Sequence, residues 1–398
     1  MSENSDPNGR TRGPDSNPPP LAPETRAMPG AVYSPFADRI AERVGQNAGP
    51  IIPLHVGDTW REPFVGARAE DQSSAEIPRL HGYADTRGVP ALIETITAKL
   101  RKKNGLDFEY EDVLVTAGAT GGLSTLAGAA LSPGDEILIL APFWPLIRGI
   151  AQSFRAKPVE VPFFDRVSTC DEAVAAVNAK ITPRSRVLYV STPSNPTGRV
   201  IPGEWLEALA ELARRNDLWI FSDEVYEDFV YEGEHVSMAR FAPERTVSVY
   251  SFSKSYAMAG QRVGYLAGPR VIVDEARKMG THLYYHPSVS GQYAALAAIT
   301  QGEAWLASNR VEDGEVGQRV AESLGLPAPS GGTFLFLDVR ERLDHRGLAG
   351  FLEDAFEQGV LVAPGHACGA EYAEWIRMSF TAEPPEVVFE AARRIASL

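Results

Sequence analysis

A large doubly wound, mostly parallel α/β domain followed by a small α+β domain is the fold class that this 398-residue sequence predicts. Three observations predict it. From about residue 88, short apolar runs alternate with stretches whose apolar positions recur at helical spacing, the pattern of repeated strand–helix units. Several of those runs end in glycine, proline or small polar residues, as strands do when they feed loops at one edge of a sheet. In the last third of the chain the alternation gives way to strands mixed irregularly with helices.

Taken in order, residues 1–30 are Pro, Gly, Ser, Asn and charge, including Asn17-Pro18-Pro19-Pro20, and predict a disordered or loosely draped tail. Residues 31–60 form an N-terminal segment packing with the small domain. It holds an amphipathic helix over 37–44 and a strand over 51–56 that stops at Gly57-Asp58. The large domain spans 61–284. Its periodicities predict helices over 90–104, after Gly118 through Leu123 to Ala130, and over 206–214, with strands over 113–116, 136–140, 157–161, 186–190, 218–221 and 246–250. Helices follow from 271 to about 301. The small domain, 285–398, carries strands over 333–338, 359–362 and 375–380.

Composition narrows the function. Hydrophobic residues make up 44% and charged residues 23%, as in a soluble globular protein, and a net charge of −14 argues against a nucleic-acid-binding surface. Cys170 and Cys368 give no disulfide framework and the 7 histidines show no ligand spacing, so a reducing cytoplasm and no structural metal are expected. No apolar run approaches a membrane span, and Met1 is followed by Ser2, Glu3 and Asn4 rather than a basic, then apolar, leader. A cytoplasmic protein is the expectation.

The chemistry concentrates in a few segments. Lys254 stands in Ser251-Phe252-Ser253-Lys254-Ser255-Tyr256-Ala257-Met258-Ala259-Gly260-Gln261-Arg262-Val263-Gly264-Tyr265, among small uncharged residues with no acid nearby in sequence. Such a lysine loses its proton readily, as a Schiff-base lysine must. Asp223, in Ser222-Asp223-Glu224-Val225-Tyr226-Glu227, ends an apolar strand, where sites collect in open α/β sheets. Asn195 lies in the turn Thr192-Pro193-Ser194-Asn195-Pro196-Thr197-Gly198. The stretch Thr116-Ala117-Gly118-Ala119-Thr120-Gly121-Gly122 joins a strand to a helix but has neither the Gly-Lys-Ser/Thr of a nucleotide loop nor a dinucleotide acid. Phe143-Trp144 follows another strand. Arg377, in Trp375-Ile376-Arg377-Met378-Ser379-Phe380, carries a guanidinium able to grip a carboxylate with two parallel bonds. Each alone also reads as a loop lysine, a capping Asp, turn chemistry, core aromatics or an edge-strand arginine.

In this order, from about residue 31 to the end, the segments resemble the class I/II aminotransferases, the fold-type I, aspartate aminotransferase-like enzymes that use pyridoxal 5'-phosphate (PLP). The resemblance implies that Lys254 holds PLP as a Schiff base, that Asp223 keeps its ring nitrogen protonated, and that Tyr226 and the Asn195 amide bond its phenolic oxygen. It implies a phosphate held by Gly118, the Ala119 and Thr120 amides, the Thr120 hydroxyl, Ser251 and Arg262. Tyr83, in Gly82-Tyr83, would reach the phosphate of a neighbouring subunit, giving a homodimer with shared active sites. Trp144 would stack on the ring with Phe143 in the core, and Arg377 and the Gly57 N–H would hold the substrate carboxylate. Glu224 and Glu227 are assigned to solvent or structural pairing.

The sequence departs from the family at Gly57-Asp58-Thr59-Trp60, at Gly121-Gly122, at Tyr284-Tyr285-His286 and at Cys368. These suggest that Tyr285 or His286 crosses the dimer and, with Trp60, shapes the side-chain pocket. No second arginine is evident for an acidic side chain, so a neutral, aromatic or specialised amino acid fits better than aspartate. The implied activity is transfer of an amino group between an α-amino acid and a 2-oxo acid. The alternative is a fold-type I lyase, cyclase or oxidase, since all share the parts up to the carbanion. A ligand-sensing regulator on the same fold would need a DNA-binding domain ahead of it, which the short tail cannot form.

Overall fold

The computed structural model describes residues 20–28, 30, 39–40 and 50–398. Residues 1–19 of the predicted tail, and most of the predicted 37–44 helix, lie outside the described residues; Arg39 and Ile40 are helical, and Arg39 pairs with Glu353 at 2.6 Å. Within the tail, a helical turn at Pro23–Ala27 lies near the helix Leu146–Ser153, where Glu24 meets Arg155 at 3.0 Å.

The strands in chain order are β1 (Ile52–Pro53), β2 (Val113–Thr116), β3 (Glu136–Ala141), β4 (Lys157–Pro162), β5 (Ser185–Ser191), β6 (Trp219–Asp223), β7 (Thr246–Ser251), β8 (Gly264–Ala267), β9 (Phe334–Asp338), β10 (Val360–Leu361), β11 (Ala363–Pro364) and β12 (Trp375–Ser379). β2 to β8 form one sheet in the order β2-β8-β7-β6-β5-β3-β4, parallel except for β8, which runs against both neighbours. Successive side chains point to opposite faces, so Ile137 and Ile139 join Leu123, Ile147 and Ile272 in one core. Leu138 and Leu140 join Ala173, Leu206 and Leu209 in another. Coverage of both faces explains why these strands read as unbroken apolar runs. β8 has no sequence signature of its own: it is short, begins with glycine, and starts within the Lys254 segment.

The small sheet, β11-β12-β9, is antiparallel. Ile376 and Met378 pack into a core with Val316, Val320, Phe351 and Val388, so alternation turns Arg377 to the other face, opposite Phe336. The predicted strand over 51–56 shrinks to β1, paired with β10. Beyond it the chain turns to serve the small sheet: Leu54 O accepts from Ser379 N at 2.7 Å and His55 O from Arg377 at 3.0 Å. The predicted 90–104 helix is α-helical over Pro90–Lys99 and finishes in a wider π turn, Leu100–Asn104, closed by left-handed Gly105. Among the described residues no helix is long and apolar enough to cross a membrane.

Candidate active site

The parallel strands deliver their chemistry at one edge. Gly118 follows β2, Trp144 follows β3 and Asn195 follows β5; Asp223 and Ser251 end β6 and β7. Lys254 rides on the helical turn Phe252–Ser255, whose start is capped by the Ser251 hydroxyl accepting from Ser253 N at 3.1 Å. Its Nζ donates to the carbonyl of Gly57. Burial lowers the amine's pKa to about 8; Asp58 opposes that shift, and the Arg262 and Arg377 charges add to it. The lysine therefore does have an acidic neighbour, brought from far away in sequence, which the local reading missed.

Asp223 is buried, and its Oδ2 accepts from the Tyr189 hydroxyl at 2.6 Å. Burial raises its pKa to about 6, Glu224 pushes the same way, and hydrogen bonds from Tyr189 and the Val225 N–H resist. Tyr189 was not singled out from sequence. The available signal was a tyrosine inside an apolar strand, since a buried phenol needs a partner.

Arg377 gathers the substrate side of the pocket. Its Nη1 donates to Asn195 Oδ1 at 3.0 Å and its Nη2 to His55 O at 3.0 Å, with Cζ 4.4 Å from the Phe334 ring centroid. Its Nε is buried with no partner among the described residues. Asn195 accepts through its oxygen, and its NH₂ faces the Tyr226 hydroxyl, whose pKa that bond lowers. Tyr226 is buried beside Phe334; burial pushes its phenol up, Arg377 draws it down and Asp223 raises it. Gly57 packs so closely that a Cβ there would lie 2.2 Å from the Phe334 ring.

At the other end, the helix Gly118–Ala130 starts with no side-chain cap and no acid in its first turn. Gly118 has φ 67, and a Cβ there would sit 2.6 Å from Arg262 Nη2. A Cβ on Gly264 would come within 2.9 Å of Ala119 N, so β8 presses against the helix start. Uncapped N–H groups beside a guanidinium make an anion site. Thr120 stands half-buried in that first turn and Trp144 half-buried at the edge of β3, while Phe143 is buried and donates its N–H to Cys368 O at 2.9 Å. An anion site, a buried carboxylate and a buried amine of lowered pKa fit a phosphorylated heterocycle that carries a ring nitrogen and an aldehyde.

The remaining candidates lie at the rim or beyond it. Trp60 is 43% exposed with the Arg61 guanidinium 5.1 Å from its ring. Tyr83, 80% exposed, forms a surface cluster with Tyr285 and His286, at centroid distances of 5.0 and 5.9 Å. Glu224 and Glu227 do not face solvent: both are buried. Glu224 accepts from Ser222, Ser237, Ser248 and Tyr250, with His235 at 3.0 Å, and Glu227 pairs with Lys99 and accepts from Asn104 at 2.7 Å. The structural half of their assignment stands, because donors from three other segments converge on one loop, which no local pattern displays.

Comparison with known proteins gives concordant results. The family described as Aminotransferase class I and II matches residues 50–395. The aspartate/prephenate aminotransferase of Thermus thermophilus is 36% identical over 291 residues, covering 71% of this chain and 75% of that protein. The arginine–pyruvate transaminase of Pseudomonas aeruginosa is 35% identical, covering 92% of this chain and 97% of that protein. Among solved structures, a single mutant of Thermus thermophilus aspartate aminotransferase superposes with a TM-score of 0.85 at 30% identity, covering 95% of this chain and 99% of that one.

Proposed function

The chain belongs to the class I and II aminotransferases and is a PLP-dependent aminotransferase, and from that premise we propose how its residues divide the work. Lys254 would hold the cofactor through its amine and, with that amine free, would take up and return the proton at the substrate Cα. What supports this reading most is the half-buried Lys254 amine beside the Gly57 carbonyl, whose pKa of about 8 leaves it able both to accept and to release a proton near neutrality. When bound, PLP supplies an aldehyde carbon for the amino group and a conjugated ring that takes up the electron pair left at Cα.

Asp223, steadied by Tyr189, holds the charge on the ring nitrogen. Tyr226 and the Asn195 amide would bond the ring oxygen, and Trp144 would cover the ring and exclude water. Gly118, Ala119, Thr120, Ser251 and Arg262 take the phosphate. Arg377 and the Gly57 N–H take the substrate carboxylate, and Asn195 orients the guanidinium. Lys254 then works within a pocket held from two domains, a large one over residues 61–284 and a small one over residues 285–398.

The substrate is an amino acid with a neutral side chain. Two cations that could recognise an acid are already paired: Arg148 with Glu160 at 2.6 Å, and Arg61 with Asp313 at 2.7 Å and Glu312 at 2.6 Å. Trp60 and Tyr285 border the side-chain pocket in a cytoplasmic homodimer, where the exposed Tyr83, Tyr285 and His286 cluster meets the second subunit. A panel of amino donors with pyruvate and other 2-oxo acids, read by product analysis, tests the reading. Neutral donors should give 2-oxo acids and the transaminated acceptor. Release of ammonia with no aminated acceptor would overturn it.

A further inference from the structure

The loop after β6 has two faces with different duties. Asp223 and Tyr226 serve the pocket, while Glu224, Glu227 and Asp228 turn away from it and are also buried. Each of the three acids ties the loop to a different neighbour. Glu224 binds Ser248 and Tyr250 on β7, Glu227 binds Lys99 and Asn104, and Asp228 pairs with Lys103 while its Oδ2 accepts from Ser255 Oγ at 2.5 Å. Ser255 is the residue directly after Lys254, on the same short turn.

The opposite wall is built for this contact. The π turn Leu100–Asn104 widens the helix end and swings Asn104 toward the side already occupied by Lys99 and Lys103. Lys99 also lies 4.4 Å from the Tyr250 ring centroid and 3.1 Å from the Tyr265 hydroxyl. A cavity of ≈ 450 Å³ opens behind the lysine turn, bordered by Lys99, Asp228, Phe252, Ser255, Tyr256 and Leu306. A four-residue turn that borders a cavity is held by few backbone bonds of its own, so a side-chain tether helps it keep one orientation.

We propose that Asp228 and Ser255 form a brace that fixes the Lys254 turn against the loop bearing Asp223 and Tyr226, making both of them positioning residues for the lysine amine. The inference rests on the assignment of Lys254 as the reacting lysine, and it concerns a contact outside the cofactor pocket. Lys103 pairs with the other carboxylate oxygen of Asp228 and aims the group, so the Ser255 bond is charge-assisted and stronger than a neutral one. Misplacing the amine by a fraction of an ångström slows proton transfer while leaving carboxylate and phosphate recognition intact.

The test is a double-mutant cycle in the holoenzyme with Ser255→Ala and Asp228→Ala, together with hydrogen exchange on the cofactor-free protein. Ser255→Ala should lower kcat about tenfold with KM within about twofold, and Ser255→Thr, which keeps the hydroxyl, should restore most of it. Asp228→Ala should cost a similar factor, and the double variant no more than the worse single one. In cofactor-free Ser255→Ala, amides 252–256 should exchange faster while those of β7 do not. Additive losses in the double variant, an unchanged kcat in Ser255→Ala, or unchanged exchange over 252–256 would each overturn the brace. If Ser255→Ala does not fold, Asp228→Asn gives the second reading. It retains an acceptor for Ser255 and should keep kcat within about threefold of wild type, whereas a loss as large as that of Asp228→Ala would refute the tether. A wild-type enzyme without transaminase turnover would instead remove the underlying assignment of Lys254, a separable result.

Discussion

The Tyr189 hydroxyl donates to Oδ2 of Asp223 at 2.6 Å, so the carboxylate assigned to the ring nitrogen is itself held by a buried phenol. Removing that donor in Tyr189→Phe should push the Asp223 carboxyl still further above about 6, because burial then acts with less opposition. Cofactor affinity should fall about tenfold at pH 7, and by more at pH 6 than at pH 8, because protonation of Asp223 competes at the acid end. Titration of cofactor-free protein with PLP at the three pH values measures it.

Asp223 also shapes the stability of the cofactor-free protein. Its pKa stands at 3.8 in the reference state and about 6 when folded, so the folded state binds the extra proton between those values. Stability contributed by this group is therefore greatest below pH 3.8, falls as pH rises to about 6, and is flat above. Relative to wild type, Asp223→Asn should gain stability across that window, on the order of 3 kcal/mol in total. Chemical denaturation of both cofactor-free proteins at pH 4, 5, 6 and 7 would show it.

Arg377 uses two separate nitrogens, one on Asn195 and one on the His55 carbonyl. A lysine cannot reproduce that fork. Arg377→Lys should raise KM for amino acid donors at least about tenfold, while leaving cofactor uptake near wild type. Steady-state kinetics paired with a cofactor titration separates the two effects.

Gly118 lies against Arg262 with a left-handed φ of 67. Gly118→Ala both strains the backbone and drives a methyl group to 2.6 Å from the guanidinium, so it should displace Arg262 from the helix start. Cofactor affinity should fall in Gly118→Ala and Arg262→Ala alike, each by about ten- to a hundredfold, with KM for the amino acid little changed. Equilibrium binding of PLP checks both.

Much of the large sheet was legible because burial on both faces leaves unbroken apolar strands, and the site segments follow those strands in fixed order. What escaped the sequence is what depends on distant pairing. β8 is only Gly264–Ala267, and its identity as a strand comes from β2 and β7 on either side. The 51–56 run looked like a full strand, yet its second half is recruited by Arg377 and Ser379. Asp58 and Tyr189 act on Lys254 and Asp223 from elsewhere in the chain, and the buried pairing of Glu224 and Glu227 needs partners on other elements.

Borohydride reduction of the PLP-loaded protein, followed by peptide mass mapping, tests the central claim most directly, since it fixes the cofactor to whichever amine bonds it. The account predicts a pyridoxyl-phosphate mass increment on the peptide containing Lys254 and none in the Lys254→Ala variant. An increment on another lysine, or none on the wild-type chain, would contradict it.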